Sequence, residues 1–288
     1  MNAVALAALL GVVEGLTEFL PISSTAHLRI LQALLGVDLG DPYWKAFSIV
    51  IQLGAILCLP FYFRRRIVLF AQTFPRGSRG DRTLLSHPLT LTLVGFVTTA
   101  VPSYLLVKVI GKNLESLSIM AWALIVGGVV MGAVDLLHGR RRERASTRTS
   151  DLESMTMGQA IWIGACQTLA AVFPGTSRSM ATITAGELAG MTRAAALEFS
   201  FFLSMPTMAA ATLFDLWRSL RPAAGAPVGA IAGTSHDWVV LFVGFVVSFV
   251  VAYAVVAWFM RWVRTHGFTA FALYRIAAGL LVLATLAR

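Results

Sequence analysis

Six stretches of this chain, roughly Ala46 to Phe63, Leu89 to Val107, Leu117 to Leu137, Phe199 to Trp217, Trp238 to Met260 and Phe268 to Ala287, are apolar and nearly free of charge. Each approaches the roughly 20 apolar residues that cross a bilayer as a helix, and a water-soluble core has no room for so many. Composition agrees: 57% of the residues are hydrophobic and 13% are charged, where soluble domains carry about 25% charged residues. The chain is therefore read as an all-α polytopic membrane protein. A soluble enzyme, a nucleic-acid-binding domain and a disordered chain are excluded.

Two further apolar segments, around 1–34 and 157–191, cannot be simple spans. Pro21 and Pro174 interrupt them inside polar clusters, so they read as broken or re-entrant helix pairs, which membranes tolerate only where protein buries them or water reaches them. Met1 to Val13 lacks a basic flank and runs straight into Glu14, which argues for retained structure over a cleaved signal. Cys58 and Cys166 lie inside apolar stretches and are expected to be packing thiols.

The net charge of +9 would suggest nucleic acid in a soluble chain. Here the basic residues sit in short gaps between apolar runs, where they set orientation. If each broken segment enters and leaves on one side, fourteen Lys and Arg gather on one face and six on the other. The richer face is expected to be cytoplasmic, with both termini and the entrance of the first break outside. The polar stretch Gly139 to Glu153, within a linker spanning 139–156, is expected to be cytoplasmic and mobile.

Sliding the chain along itself by 153 positions lays Gly11 over Gly164, Glu14 over Gln167, Pro21 over Pro174 and Ser24 over Ser177. Residues 1–138 and 157–288 thus each hold one broken helix pair and three spans within a single membrane domain, 1–288. An odd number of spans inverts the second half, giving an inverted-topology repeat whose interrupted helices meet near the midplane.

Glu14, Glu18 and Arg178 facing lipid would cost about 8 to 10 kcal/mol together on insertion scales, so a polar cavity is required. Glu14 and Glu18 share one helix face, and paired carboxylates call for a divalent cation, an arginine or a shared proton. In both Pro21-Ile22-Ser23-Ser24-Thr25-Ala26-His27 and Pro174-Gly175-Thr176-Ser177-Arg178-Ser179, a proline ends one half-helix and hydroxyls begin the next. Helix N-termini with free N–H groups favour an anion, and the fork of Arg178 suits phosphate oxygens. Two such cradles suggest a ligand with more than one phosphate. His27, one turn after Ser24, can act as general base or acid.

These motifs resemble those of the bacitracin-resistance family of undecaprenyl-diphosphate phosphatases. The run from Glu14 to His27 is similar to the family's first signature and Pro174 to Thr182 to its second, while Ile49 to Leu57, Glu198 to Pro206 and Tyr274-Arg275-Ile276 extend the likeness over nearly the whole chain. The resemblance implies a hydrolase of the bacterial cytoplasmic membrane that converts a C55 polyprenyl diphosphate to the monophosphate, recycling the carrier for peptidoglycan. It also implies a requirement for Mg²⁺ or Ca²⁺. Glu14 and Glu18 take the family's acidic, metal-holding positions, Ser24 and His27 its reactive ones, and Ser177, Arg178 and Thr182 its phosphate-binding ones. Ser23, Thr25, Thr176 and Ser179 complete the expected substrate-binding set. Ala26 and Met180 stand where the family has glycine, and Ser48 where it has glutamate; Met180 is expected to place a long side chain beside the cradle.

The expected reaction is attack by Ser24 activated by His27, with a metal-activated water as the other path. A polyprenyl-phosphate transporter is the competing function, because broken-helix inverted repeats also build transporters. The expected partners are the lipid substrate and the bilayer, with room for a homodimer and no nucleic acid. The site is expected to open to the periplasmic or extracellular face.

Overall fold

The computed structural model describes residues 2–38, 40–110, 116–140, 149–220 and 235–286. Among them eleven α-helices occur: α1 (Ala3–Thr17), α2 (Ser24–Leu34), α3 (Pro42–Tyr62), α4 (Arg64–Thr73), α5 (Pro88–Ile110), α6 (Leu117–Arg140), α7 (Met157–Val172), α8 (Arg178–Leu188), α9 (Arg193–Leu220), α10 (Ser235–Trp262) and α11 (Thr269–Leu286). Six of them, α3, α5, α6, α9, α10 and α11, are long and apolar enough to cross a membrane, and they coincide with the six expected runs.

Local chemistry sets the helix starts. Asn2 caps α1 by accepting from Ala5 N at 2.7 Å, Asp41 caps α3 ahead of Pro42, and Thr156 with Gln159 forms a reciprocal capping box at α7. The expected breaks fall between α1 and α2 and between α7 and α8. Beyond Thr17 and Val172 the chain meets Pro21 and Pro174, which cannot continue a helix, and it restarts at Ser23 and Ser177.

The broken pairs pack across the halves. Helix α1 lies along α10 and α7 along α5, while α6 and α11 run together. Both cross-half contacts depend on missing side chains: a Cβ on Gly11 would stand 2.7 Å from Gly244 O, and one on Gly164 would stand 2.4 Å from Gly95 O. Such close approach between small residues replaces the hydrophobic drive that lipid removes.

The basic gaps gather at one end of the bundle. Arg66 pairs with Glu198 at 3.1 Å, Arg79 with Asp151 at 3.0 Å and Arg193 with Asp135 at 2.6 Å. Asp135 also accepts the backbone N–H groups of Phe268 and Thr269 at 2.9 and 3.0 Å. At the other end the Tyr43 hydroxyl donates to Asp237 O at 3.3 Å.

One expectation needs correction here. The end of the linker is not loose: Asp151 and Ser154 form a capping box, and buried Glu153 accepts from the Ser78 hydroxyl at 2.5 Å. Residues 141–148, where the rest of that expectation falls, lie outside the described residues. The first basic gap also contains a helix, α4, whose Arg66 stacks over Phe70 at 5.0 Å while Arg64 and Arg65 are exposed.

Candidate active site

Both breaks converge on Glu18. This residue caps the end of α1, one turn beyond Glu14. Its Oε2 accepts a short hydrogen bond from the Ser24 hydroxyl, and its Oε1 accepts from Arg178 Nη2 at 3.2 Å. One carboxylate therefore ties the first residue of α2 to the first residue of α8. Glu14 is 1% exposed, and among the described residues neither of its oxygens receives an N–H or O–H donor, nor does the buried Arg178 Nη1 find an acceptor. The buried Glu14 carboxylate and the open side of the Arg178 guanidinium both lie beside Glu18.

The half-helix starts are strained. Ser23 has φ 76° and Ser177 φ 70°, and Gly175 has φ 93°. Only the glycine adopts that region without steric cost, and the two serines each store about 1 to 3 kcal/mol. In return the Ser23 hydroxyl accepts from Ala26 N at 3.4 Å and the Ser177 hydroxyl from Met180 N at 3.3 Å. Both half-helices thereby begin at a capped serine, directly after their breaks.

A residue given no role above holds this geometry. Arg275 of α11 is completely buried. Its Nη1 donates to Pro21 O at 3.0 Å, and its Nη2 donates to Ala123 O, Gly175 O and Thr176 O at 3.0, 3.1 and 2.9 Å. One guanidinium thus pins carbonyls of both breaks and of α6. Gly127 makes the room, since a Cβ there would stand 2.4 Å from Arg275 Nη2. The available signal was the cost of a lone charge inside an apolar run.

The remaining expected residues divide. His27 does not meet Ser24: its Nδ1 lies 2.6 Å from Ser23 O and its Nε2 2.6 Å from the Tyr274 hydroxyl. Ser179 donates to Leu20 O at 2.9 Å and sits 3.1 Å from the Ser177 hydroxyl. Thr182 pairs with Ser200 of α9 at 2.6 Å, so both Ser179 and Thr182 bind the breaks to their surroundings. Thr25 is exposed and Thr176 half-buried at the edges of the breaks.

A family model described as Bacitracin resistance protein BacA matches residues 7–281. The chain belongs to the BacA family. Relatives agree over most of their length. An undecaprenyl-diphosphatase of Koribacter versatilis is 63% identical over 99% of this chain and 98% of its own. Those of Sorangium cellulosum and Thermus thermophilus are 44% and 43% identical over 96% and 94% of this chain, and over 84% and 93% of their own.

The three positions expected to depart from the family's pattern find ordinary partners. Met180 is buried and turned toward α6, its Cε 2.7 Å from where a Gly127 Cβ would be, so it fills the core behind the cradle and does not narrow it. Ser48 accepts from the Gln32 amide at 3.3 Å and donates to Trp44 O at 2.9 Å. Ala26 is completely buried against Met120 and Leu124.

Proposed function

We propose that this BacA protein hydrolyses undecaprenyl diphosphate to undecaprenyl phosphate and inorganic phosphate, in a site formed between its two breaks. The observation that carries this reading is the Glu18 carboxylate held between the Ser24 hydroxyl and Arg178, because it supplies nucleophile, base and phosphate clamp in one constellation. The family and the names of its relatives support the substrate.

In the first step the Ser24 oxygen attacks the terminal phosphorus, and the bond to the bridging oxygen breaks. Undecaprenyl phosphate leaves, and the serine proton passes to Glu18. In the second step water attacks the phosphoserine, Ser24 recovers its proton, and inorganic phosphate leaves. An alcohol needs such a neighbouring base, and Glu18, not His27, occupies that place. Arg178 and the N-termini of α2 and α8 neutralise the phosphate oxygens, and positioning with charge neutralisation dominates phosphoryl transfer. His27, facing the same side of α2 as Ser24, serves the proton of the attacking water.

Glu14 and Glu18 fit a divalent cation, because Glu14 is buried with both oxygens unmet. Among the described residues no group of three or more His, Cys, Asp or Glu could hold a metal, so these two would bind Mg²⁺ or Ca²⁺ together with substrate phosphate. The ion would neutralise charge on the diphosphate. The charge asymmetry of fourteen against six supports an entrance of the first break on the periplasmic or extracellular face. No specific observation favours transport.

Purified protein in detergent, given undecaprenyl diphosphate with Mg²⁺ or Ca²⁺, is expected to release inorganic phosphate. Absence of release under both metals would sink the hydrolytic reading.

A further inference from the structure

His27 is held at both ring nitrogens. Nδ1 faces the Ser23 carbonyl, which can only accept, so Nδ1 carries a proton in either charge state of the ring. Nε2, facing the Tyr274 hydroxyl, is therefore the atom able to exchange one. The two rings stack with centroids 5.6 Å apart and planes 11° apart, so Tyr274 fixes the plane of the imidazole as well as its hydrogen bond.

The chemistry of this partner is informative. A carboxylate opposite Nε2 would favour the imidazolium, and a backbone N–H would favour the neutral ring. A phenol donates to bare Nε2 and accepts from protonated Nε2, so it orients the ring without selecting its charge. Tyr274 is also more than an interfacial anchor. It follows Leu273 and precedes Arg275 in α11, and Arg275 locks that helix to Pro21 and Thr176. The hydroxyl is delivered to His27 by the same helix that holds the two breaks together.

We propose that Tyr274 is a positioning residue for the hydrolysis: it fixes the plane of His27, whose tautomer the Ser23 carbonyl sets, presents Nε2 as the exchanging atom, and keeps that nitrogen away from Ser24, whose proton goes to Glu18. This rests on the reading that His27 takes part in the reaction.

Tyr274→Phe keeps the ring and its stacking and removes only the hydroxyl. The test uses full-length protein in detergent with ¹⁵N-labelled histidine, the His27 signals being assigned by their loss in His27→Gln. Wild type is expected to show the Nδ1–H tautomer, and in Tyr274→Phe the Nε2 resonance is expected to move toward that of an unbonded ring nitrogen. With undecaprenyl diphosphate, kcat is expected to fall at least about tenfold while KM stays within about threefold, within the range of general acid–base effects. A merely structural role would lower the yield of folded protein and leave kcat per folded molecule and the Nε2 resonance alone. An unchanged Nε2 resonance overturns the proposal, and so does a normal kcat. Wild-type turnover by His27→Gln would remove the role of His27 itself, and this proposal with it, while the Tyr274–His27 bond remained visible in the spectra.

Discussion

Replacing Arg275 by lysine keeps the charge and most of the stem but removes the planar fork. The guanidinium now reaches four carbonyls, the buried ones of Pro21 and Gly175 and the half-buried ones of Ala123 and Thr176. A lysine ammonium has three donors on one nitrogen, so at least one carbonyl loses its partner and a second is strained. At about 1 to 3 kcal/mol for each buried group left unsatisfied, the loss is about 2 to 5 kcal/mol. For a chain of this size that lowers Tm by about 5 to 15 °C. The protein carries its own reporter: Cys58 is completely buried, and a thiol-reactive fluorophore in detergent would read its exposure on heating. Turnover should fall more steeply than stability, because Pro21 and Thr176 carry the two halves of the site and a shift of about 1 Å between them can cost about a hundredfold. Arg65→Lys, at an exposed position on α4, is the control and should change neither reading. An Arg275→Lys protein with wild-type Tm and turnover would refute the clamp.

Other outcomes follow from the same geometry. Arg178→Lys should lose both the open Nη1 and the fork, with kcat/KM down by about a hundredfold or more in steady-state assays; near-normal activity would reduce Arg178 to a simple charge. Glu14→Gln should raise the Mg²⁺ or Ca²⁺ concentration needed for half-maximal activity, whereas an unchanged metal titration would move the ion elsewhere. In a Cys-free background, a cysteine at Gly40 should label with an impermeant reagent in intact cells and one at Ser146 should not, and the reverse pattern would invert the topology.

Much of this arrangement can be read from residue order. Spans announce themselves because lipid demands length and apolarity together, and Pro21 and Pro174 mark the breaks because proline cannot extend a helix. What could not be read depends on distances of an ångström or on contacts across the bundle. The slide of 153 matches Ser24 to Ser177, but the second break holds one more residue between its proline and its cap. The structure therefore begins α2 at Ser24 and α8 at Arg178, placing these two residues at corresponding positions. His27 stood nearest Ser24 in sequence and so seemed its base, yet Glu18 folds back onto the hydroxyl from the end of α1. Tyr274 and Arg275 lie in α11, far along the chain, and only the packing of α11 on α6 brings them to the breaks.

The central claim is that Ser24, with its proton accepted by Glu18, attacks the terminal phosphorus. Its most direct test is the rate at which purified Ser24→Ala releases inorganic phosphate from undecaprenyl diphosphate beside the wild type. The substitution removes one buried oxygen and leaves Arg178, Glu14 and both helix N-termini in place. Turnover should fall by at least about a thousandfold. Release within about tenfold of the wild-type rate would contradict the account and assign the attack to water.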